Sequence, residues 1–322
     1  MYFKTSATSD IGLSRKTNQD SAYISDNFIL VADGMGGYAG GDLASKIVVD
    51  YLSKLDLASD ADSKIVKNQV GDILDEAKMT FGKLIGQNPN LNMMGSTITF
   101  LAIVNNELVL GHVGDSRAYK FSGKKLEQLS KDHTVVQQLI DAGKLTSKKA
   151  KKSESRHKLT RVFGFFDIET NPDIELFEAK AGDRYLICSD GLNAFVPDKV
   201  IEKTLINYQN NDEACEKLVD LAMRNGSTDN ITVVVATLAD DENAKNVSFK
   251  LGSAASENEE NLTKIETPPA ASNQPEQMKT EQSQSEQAQP KHAQTEQTQT
   301  QQAQTQQVQT PNLKKEFWSI FG

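Results

Sequence analysis

Up to Ala239 the chain alternates between two hydrophobic periods. Short apolar runs bounded by turn residues predict strands. SAYIS (21–25) and FILVAD (28–33) flank a polar Asp26-Asn27 link, and STITFLAIV (96–104) and ELVLGHV (107–113) are joined by Asn105-Asn106. RAYKF (117–121) and KKLEQLS (124–130) flank Ser122-Gly123, and DIELFEA (173–179), RYLICSD (184–190) and NITVVVATL (230–238) follow. Links this short join antiparallel neighbours, so the sheet is mainly antiparallel. Helical spacing appears between the runs, at Leu43, Ile47, Tyr51 and Leu55, at Val66, Val70, Ile73, Leu74, Ala77 and Phe81, and at Ala214, Leu218, Leu221 and Ala222. These stripes predict helices with one face on a core. Strand runs with separate helices point to α+β layers rather than a parallel βαβ sheet.

After Ala239 the pattern stops. Residues 240–311 are rich in Glu, Gln, Ser, Thr and Ala, with stretches such as TEQTQTQQAQTQQVQT. Such a sequence buries too little apolar surface to offset its ordering entropy and is expected to be a disordered Gln/Thr-rich linker. The segment 312–322 departs from it with Phe317, Trp318, Ile320 and Phe321, Trp318 being the single tryptophan of the chain. Aromatic residues on a long tether suit docking into a partner groove, so 312–322 is expected to be a docking peptide. The apolar share of 38% reflects this mixture of a packed part and a polar one.

A formal net charge of −9 offers no basic surface for nucleic acid or anionic lipid. The start, MYFKTSATSDIG, is not a secretory signal, and no run approaches the roughly 18 apolar residues of a membrane span. Cys188 and Cys215 stand apart without a CxxC pair and read as buried reduced thiols. The expected location is the cytoplasm.

Acidic residues recur at the ends of the apolar runs. Asp33 ends FILVAD before Gly34-Met35-Gly36-Gly37, Asp190 ends YLICSD before Gly191, and Asp115 follows VLGHVG. Asp20 immediately precedes SAYIS, and Asp229 immediately precedes NITVVV. One such Asp is an ordinary turn or cap; five, three of them beside a glycine, suggest side chains projecting into a shared cleft. Carboxylates without His or Cys neighbours make a hard-oxygen site for Mg²⁺ or Mn²⁺, and without cations they would repel one another. Two such ions could share a bridging water, make it hydroxide-like near neutral pH, and allow direct attack on phosphorus.

At this point ordered blocks carry a resemblance. RKTNQD (15–20), VADGMGG (31–37), GSTITF (95–100), GHVGDSRAY (111–119), SKDHT (130–134), LTRVFG (159–164), LICSDGL (186–192) and TDNITVVV (228–235) occur in this order. Over residues 1–239 the chain resembles the metal-dependent protein phosphatase family, in its bacterial type 2C serine/threonine branch. The resemblance implies a central antiparallel β-sandwich flanked by pairs of antiparallel helices, in four layers αββα, with a dinuclear Mn²⁺ or Mg²⁺ site at one end. It implies that Asp33 bridges both metals, that the Gly34 carbonyl is a ligand, and that Asp190 and Asp229 hold the first metal. It places Asp20 where a carboxylate holds the second metal through water, and Arg15 where an arginine fork binds the substrate phosphate. Asp115, with Asp190, matches residues that support a weaker third metal. The implied partners are phosphorylated proteins and a cognate Ser/Thr kinase, for a monomeric enzyme.

Two positions depart from the family's pattern. Gln19 stands where many members have Glu, which removes one negative charge. Met35 stands where DGHGG-type members have a histidine proposed as general acid, and a thioether cannot donate a proton; metal-bound water, or water at a third metal near Asp115, is the expected donor. His112, inside an apolar strand, reads as a core histidine, and His133 as a turn-ordering one. His157 lies in the basic stretch 144–161, which is either a solvated loop or a substrate-facing flap. A catalytically silent adaptor on the same fold and a divalent-metal nuclease are the rival readings; intact acidic positions oppose the first, and the lack of a basic face opposes the second.

Overall fold

The computed structural model describes residues 1–37, 40–55, 63–150, 153–164, 171–241 and 247–255. The docking peptide expected at 312–322 and most of the linker expected at 240–311 lie outside the described residues.

The first third of the chain holds β1 (Tyr2–Asp10), β2 (Asp20–Ser25), β3 (Phe28–Met35), α1 (Gly41–Leu52), α2 (Ser63–Gln87), β4 (Gly95–Ser96) and β5 (Ile98–Val104). The middle holds β6 (Glu107–Val113), β7 (Arg117–Ser122), β8 (Lys125–Gln128), α3 (Val135–Asp141), α4 (Ser147–Ala150), β9 (Asp173–Glu178) and β10 (Arg184–Cys188). Then follow α5 (Asp190–Asn193), α6 (Asp198–Asn207), α7 (Asn211–Arg224), β11 (Ile231–Ala239) and β12 (Ser248–Gly252).

The strands form two antiparallel sheets. One runs β1-β11-β10-β7-β8; the other runs β12-β2-β3-β5-β6-β9, with β4 paired to β3. Alternation along each strand assigns the layers. Ile29 and Val31 of β3 meet Ile187 of β10 and Val234 and Ala236 of β11 between the sheets. Leu30 and Ala32 face the opposite way, onto Ala44, Ile47 and Val48 of α1 and Val66, Val70 and Leu74 of α2. On the other side Val233 and Val235 of β11 pack under Ile201 and Leu205 of α6 and Leu218 and Ala222 of α7. This is the four-layer α+β sandwich expected from the resemblance. Asn210 caps α7 by accepting the N–H groups of Asp212 and Glu213, which fixes where that helix begins.

The predicted hairpins form. Asn105 and Asn106 take φ of 50° and 62°, the left-handed pair that lets a two-residue link match the strand twist. The β7–β8 turn sits one residue later than its sequence suggests, on Gly123 and Lys124, because Ser122 pairs with Lys125. Two strands escape the hydrophobic pattern. β1 pairs with β11 along nine residues, and β12 pairs with β2 from Ser248 to Gly252. The fold thus continues past Ala239, where composition alone ends it. Both are edge strands with one paired side, so few of their positions need to be apolar. A 3-10 turn at Ser253–Ala255 buries Ala254 against the α1 side of the sandwich.

Candidate metal centre

The strand pairing brings the five acidic positions to one end of the sandwich. Asp20 opens β2 and stands opposite Asp33 of β3 in register. In the other sheet Cys188 of β10 faces Val233 of β11, so Asp190, just after β10, and Asp229, just before β11, leave that sheet at the same end. Asp115 lies on the link from β6, in one sheet, to β7, in the other.

Side chains tie these ends together. Ser189 donates its Oγ proton to Asp20 Oδ2 at 2.7 Å and accepts the Thr232 N–H at 3.0 Å, joining the two sheets beside the carboxylates. Asn230, 3% exposed, accepts the Gln19 N–H at 2.8 Å and donates to the carbonyls of Ile11 and Thr17 at 2.9 and 3.0 Å. It fixes both the approach to Asp20 and the residue after Asp229. The Asp33 N–H donates to Thr97 Oγ1 at 2.9 Å, and Thr97 Oγ1 lies 2.8 Å from Ser116 Oγ, next to Asp115. The Gly34 N–H donates to the Gln19 carbonyl at 3.1 Å, and a Cβ on Gly34 would sit 1.9 Å from the Gly41 carbonyl oxygen. Only glycine admits this approach of β3 to the start of α1. Gln19 spends its side-chain amide on the Gly37 carbonyl at 2.8 Å, so it works as a brace for the glycine turn.

The electrostatics follow from the convergence. Burial first, then the charges of Asp20, Asp190, Asp229 and Asp115, hold Asp33 well above the usual carboxylate range. Asp20, 1% exposed, is pushed up to about 7 by burial, against the lowering effect of its Ser189 hydrogen bond. Asp115 is also raised, by burial and by Asp190. Carboxylates that are buried and also repel one another fit divalent cations, which would remove that cost; the carboxylates whose charges act on Asp33 all offer oxygen, which suits Mn²⁺ or Mg²⁺. Arg15 approaches from the loop after β1 and donates to Asp229 Oδ2 at 2.8 Å, which raises its own pKa.

The histidines separate clearly. His112 is 2% exposed, meets Thr99 Oγ1 at 3.0 Å, and is lowered to about 3 by burial. Its ring lies 4.8 Å from that of His133. His133 Nδ1 accepts the Gly114 N–H at 3.1 Å, so its proton is on Nε2, 3.0 Å from Asp173 Oδ2. Burial and then Arg161 lower its pKa. Both histidines are neutral structural groups, and Arg161, bonded to Asp173 at 2.8 Å and to the Asn171 carbonyl, ties the 159–164 segment to β9. His157 behaves differently: its Nδ1 lies 3.3 Å from Asp190 Oδ2. Beside it a cleft of about 410 Å³ extends from Asp115 and Asp190 past Arg117, Arg156, Ile140 and Phe195. Asn230, Ser189 and Thr97 have no signal in the sequence beyond their places inside the TDNITVVV, LICSDGL and GSTITF blocks, because their partners are distant in the chain.

Comparison with known proteins agrees with this arrangement. The family description "Protein phosphatase 2C" matches residues 2–231. Serine/threonine protein phosphatase PstP of Mycobacterium tuberculosis is 36% identical over 240 residues, 74% of this chain and 46% of the relative. Protein phosphatase PhpP of Streptococcus pneumoniae is 30% identical over 243 residues, 74% of this chain and 98% of that protein. The solved catalytic domain of PstP in complex with two manganese ions superposes with a TM-score of 0.67 at 36% identity, covering 74% of this chain and 99% of the other. The chain thus spans about half the length of the mycobacterial relative.

Proposed function

The chain belongs to the protein phosphatase 2C family, and from that premise we propose that it hydrolyses phosphoserine and phosphothreonine in proteins at the Asp33 centre. The observation that carries this is the convergence of carboxylates at one sandwich end, where burial and then the charges of Asp20, Asp190, Asp229 and Asp115 raise Asp33. Asp33 and the Gly34 carbonyl would hold two Mn²⁺ or Mg²⁺ ions with Asp190 and Asp229, and Asp20 would act through water. Bound divalent cations supply Lewis acidity toward water and phosphate. Arg15 uses one guanidinium nitrogen on Asp229 and is 47% exposed, leaving donors for two phosphate oxygens. Ser189, Thr97 and Asn230 keep the carboxylates aligned without touching the substrate. Met35 cannot supply the leaving-group proton, so the donor in this reading is water, either at the Asp33 centre or near Asp115.

The experiment is phosphate release from a phosphothreonine peptide with Mn²⁺, with EDTA, and from Asp190→Asn. Release that needs Mn²⁺ and is lost in the variant supports the proposal. Metal-independent release contradicts it, as does release from nucleic acid and not from the peptide.

The reading extends to a cytoplasmic monomer that reverses a Ser/Thr kinase. The segment 312–322 would serve as a docking peptide. Deleting it should leave turnover of a small aryl phosphate unchanged and reduce capture of the kinase complex; lost aryl phosphatase activity would contradict the docking role.

A further inference from the structure

The match to the family description ends at residue 231, yet the sandwich continues with β12 and the turn at Ser253–Ala255. β12 covers the outer side of β2, whose first residue is Asp20, and Gly252 stands opposite Ser21 in register. The segment is anchored on α1 as well: Ala254 is buried in the α1 cluster, and Lys250 Nζ donates to Asp50 Oδ1 at 2.6 Å.

Two contacts aim this segment at Asp20. Gly252 takes a φ of 65°, and a Cβ there would sit 2.1 Å from the Asp20 carbonyl oxygen, so the two backbones press together where β2 begins. Ser253 donates its Oγ proton to the Asn18 carbonyl. Asn18 in turn accepts the Asp20 N–H on Oδ1 at 3.1 Å and donates from Nδ2 to Ser9 Oγ at 2.8 Å. Ser9 Oγ lies 2.8 Å from Thr232 Oγ1, and the Thr232 N–H is bonded to Ser189, the donor to Asp20 Oδ2. One continuous set of bonds thus holds the backbone before Asp20 and its carboxylate, and Ser253 closes that set from outside. An ordinary edge strand needs only its ladder to β2. It requires neither a left-handed glycine against Asp20 nor a hydroxyl on the residue two before it.

We propose that Gly252 and Ser253 are positioning residues for Asp20, and that this segment beyond the family match sets how firmly the ion served by Asp20 is held. Groups that orient a metal-holding residue from outside typically change metal affinity about ten- to a hundredfold when they are lost. Ser253 acts through Asn18, which puts its effect at the lower end of that range. The inference rests on the metal-centre part of the proposed function and not on the substrate.

The test uses the full chain with Mn²⁺ as probe, read by isothermal titration calorimetry, with thermal unfolding showing that each variant is folded at the titration temperature. Ser253→Ala should weaken one bound ion about tenfold and leave the others at wild-type affinity. Ser253→Thr, which keeps the hydroxyl, should restore wild-type binding. Lys250→Ala loosens the same strand from α1 without touching Asn18 and should leave Mn²⁺ affinity unchanged. In an Asp20→Asn background Ser253→Ala should cost nothing further, because the residue it positions is already disabled. Unchanged binding in Ser253→Ala would overturn the proposal, as would an equal loss in Lys250→Ala or a full tenfold loss added to Asp20→Asn. Phosphate release from a phosphothreonine peptide by the same samples reports on the proposed function separately. A wild type that binds Mn²⁺ and shows the Ser253→Ala loss, but releases no phosphate, contradicts that function and supports the positioning of Asp20.

Discussion

At the residue scale the centre is set by the conflict between Asp33 and its neighbours. Asp33 and Asp20 face each other across β2 and β3, and both bind protons more tightly than a free carboxylate. For Asp20 the folded pKa of about 7 lies above the ordinary value of 3.8. Between those values the folded chain binds more protons than the unfolded one, so the contribution of Asp20 to stability falls as pH rises and is flat above about pH 7. In metal-free protein, wild type should therefore lose stability relative to Asp20→Asn between about pH 4 and 7, by on the order of 4 kcal/mol. Urea unfolding at several pH values checks this, and Mn²⁺ should restore the wild type at pH 7.5 and not the variant. A wild type that gains on the variant across that window would show that Asp20 is not a crowded carboxylate.

At the element scale the centre depends on close backbone approaches. Gly34 brings β3 against the first residue of α1, and Gly191 brings the start of α5 within reach of the Asn230 carbonyl, where a Cβ would lie at 1.9 Å. In each case the obstructing atom is backbone, so it cannot rotate away. Gly34→Ala should cost at least about 2 kcal/mol, visible as a lower thermal midpoint, and should weaken Mn²⁺ binding. A change within about 0.5 kcal/mol would mean that α1 is free to shift. Much of this level was legible in the sequence. The asparagine pair between β5 and β6 announces its turn, and Asp33 and Asp190 stand where apolar runs stop. β1 and β12 were not legible, because an edge strand with one paired side tolerates polar residues. Asn230 and Ser189 were not legible either, since nothing local distinguishes a polar residue that will bond across 211 or 169 positions. The roles of Asp20, Asp115 and Arg15 come from the family resemblance; position alone places the two aspartates among the carboxylates of a shared cleft, and nothing local marks Arg15.

For the whole molecule, the sandwich supplies two sheets whose strand ends meet, and the helices outside each sheet keep those ends in register. The inter-sheet core, from Phe3 and Ile29 to Tyr185 and Val234, is what lets Ser189 of one sheet hydrogen-bond Asp20 of the other. A single acidic end of this kind cannot hold a phosphate unless cations offset its charge, which is why metal dependence and phosphatase activity stand or fall together. Asp33 is where they meet. The most direct test is phosphate release from a phosphothreonine peptide by Asp33→Asn at saturating Mn²⁺, with folding verified by circular dichroism. The account predicts a loss of at least about 100-fold, equivalent to roughly 3 kcal/mol of transition-state stabilisation. A folded Asp33→Asn protein that releases phosphate at the wild-type rate would contradict it.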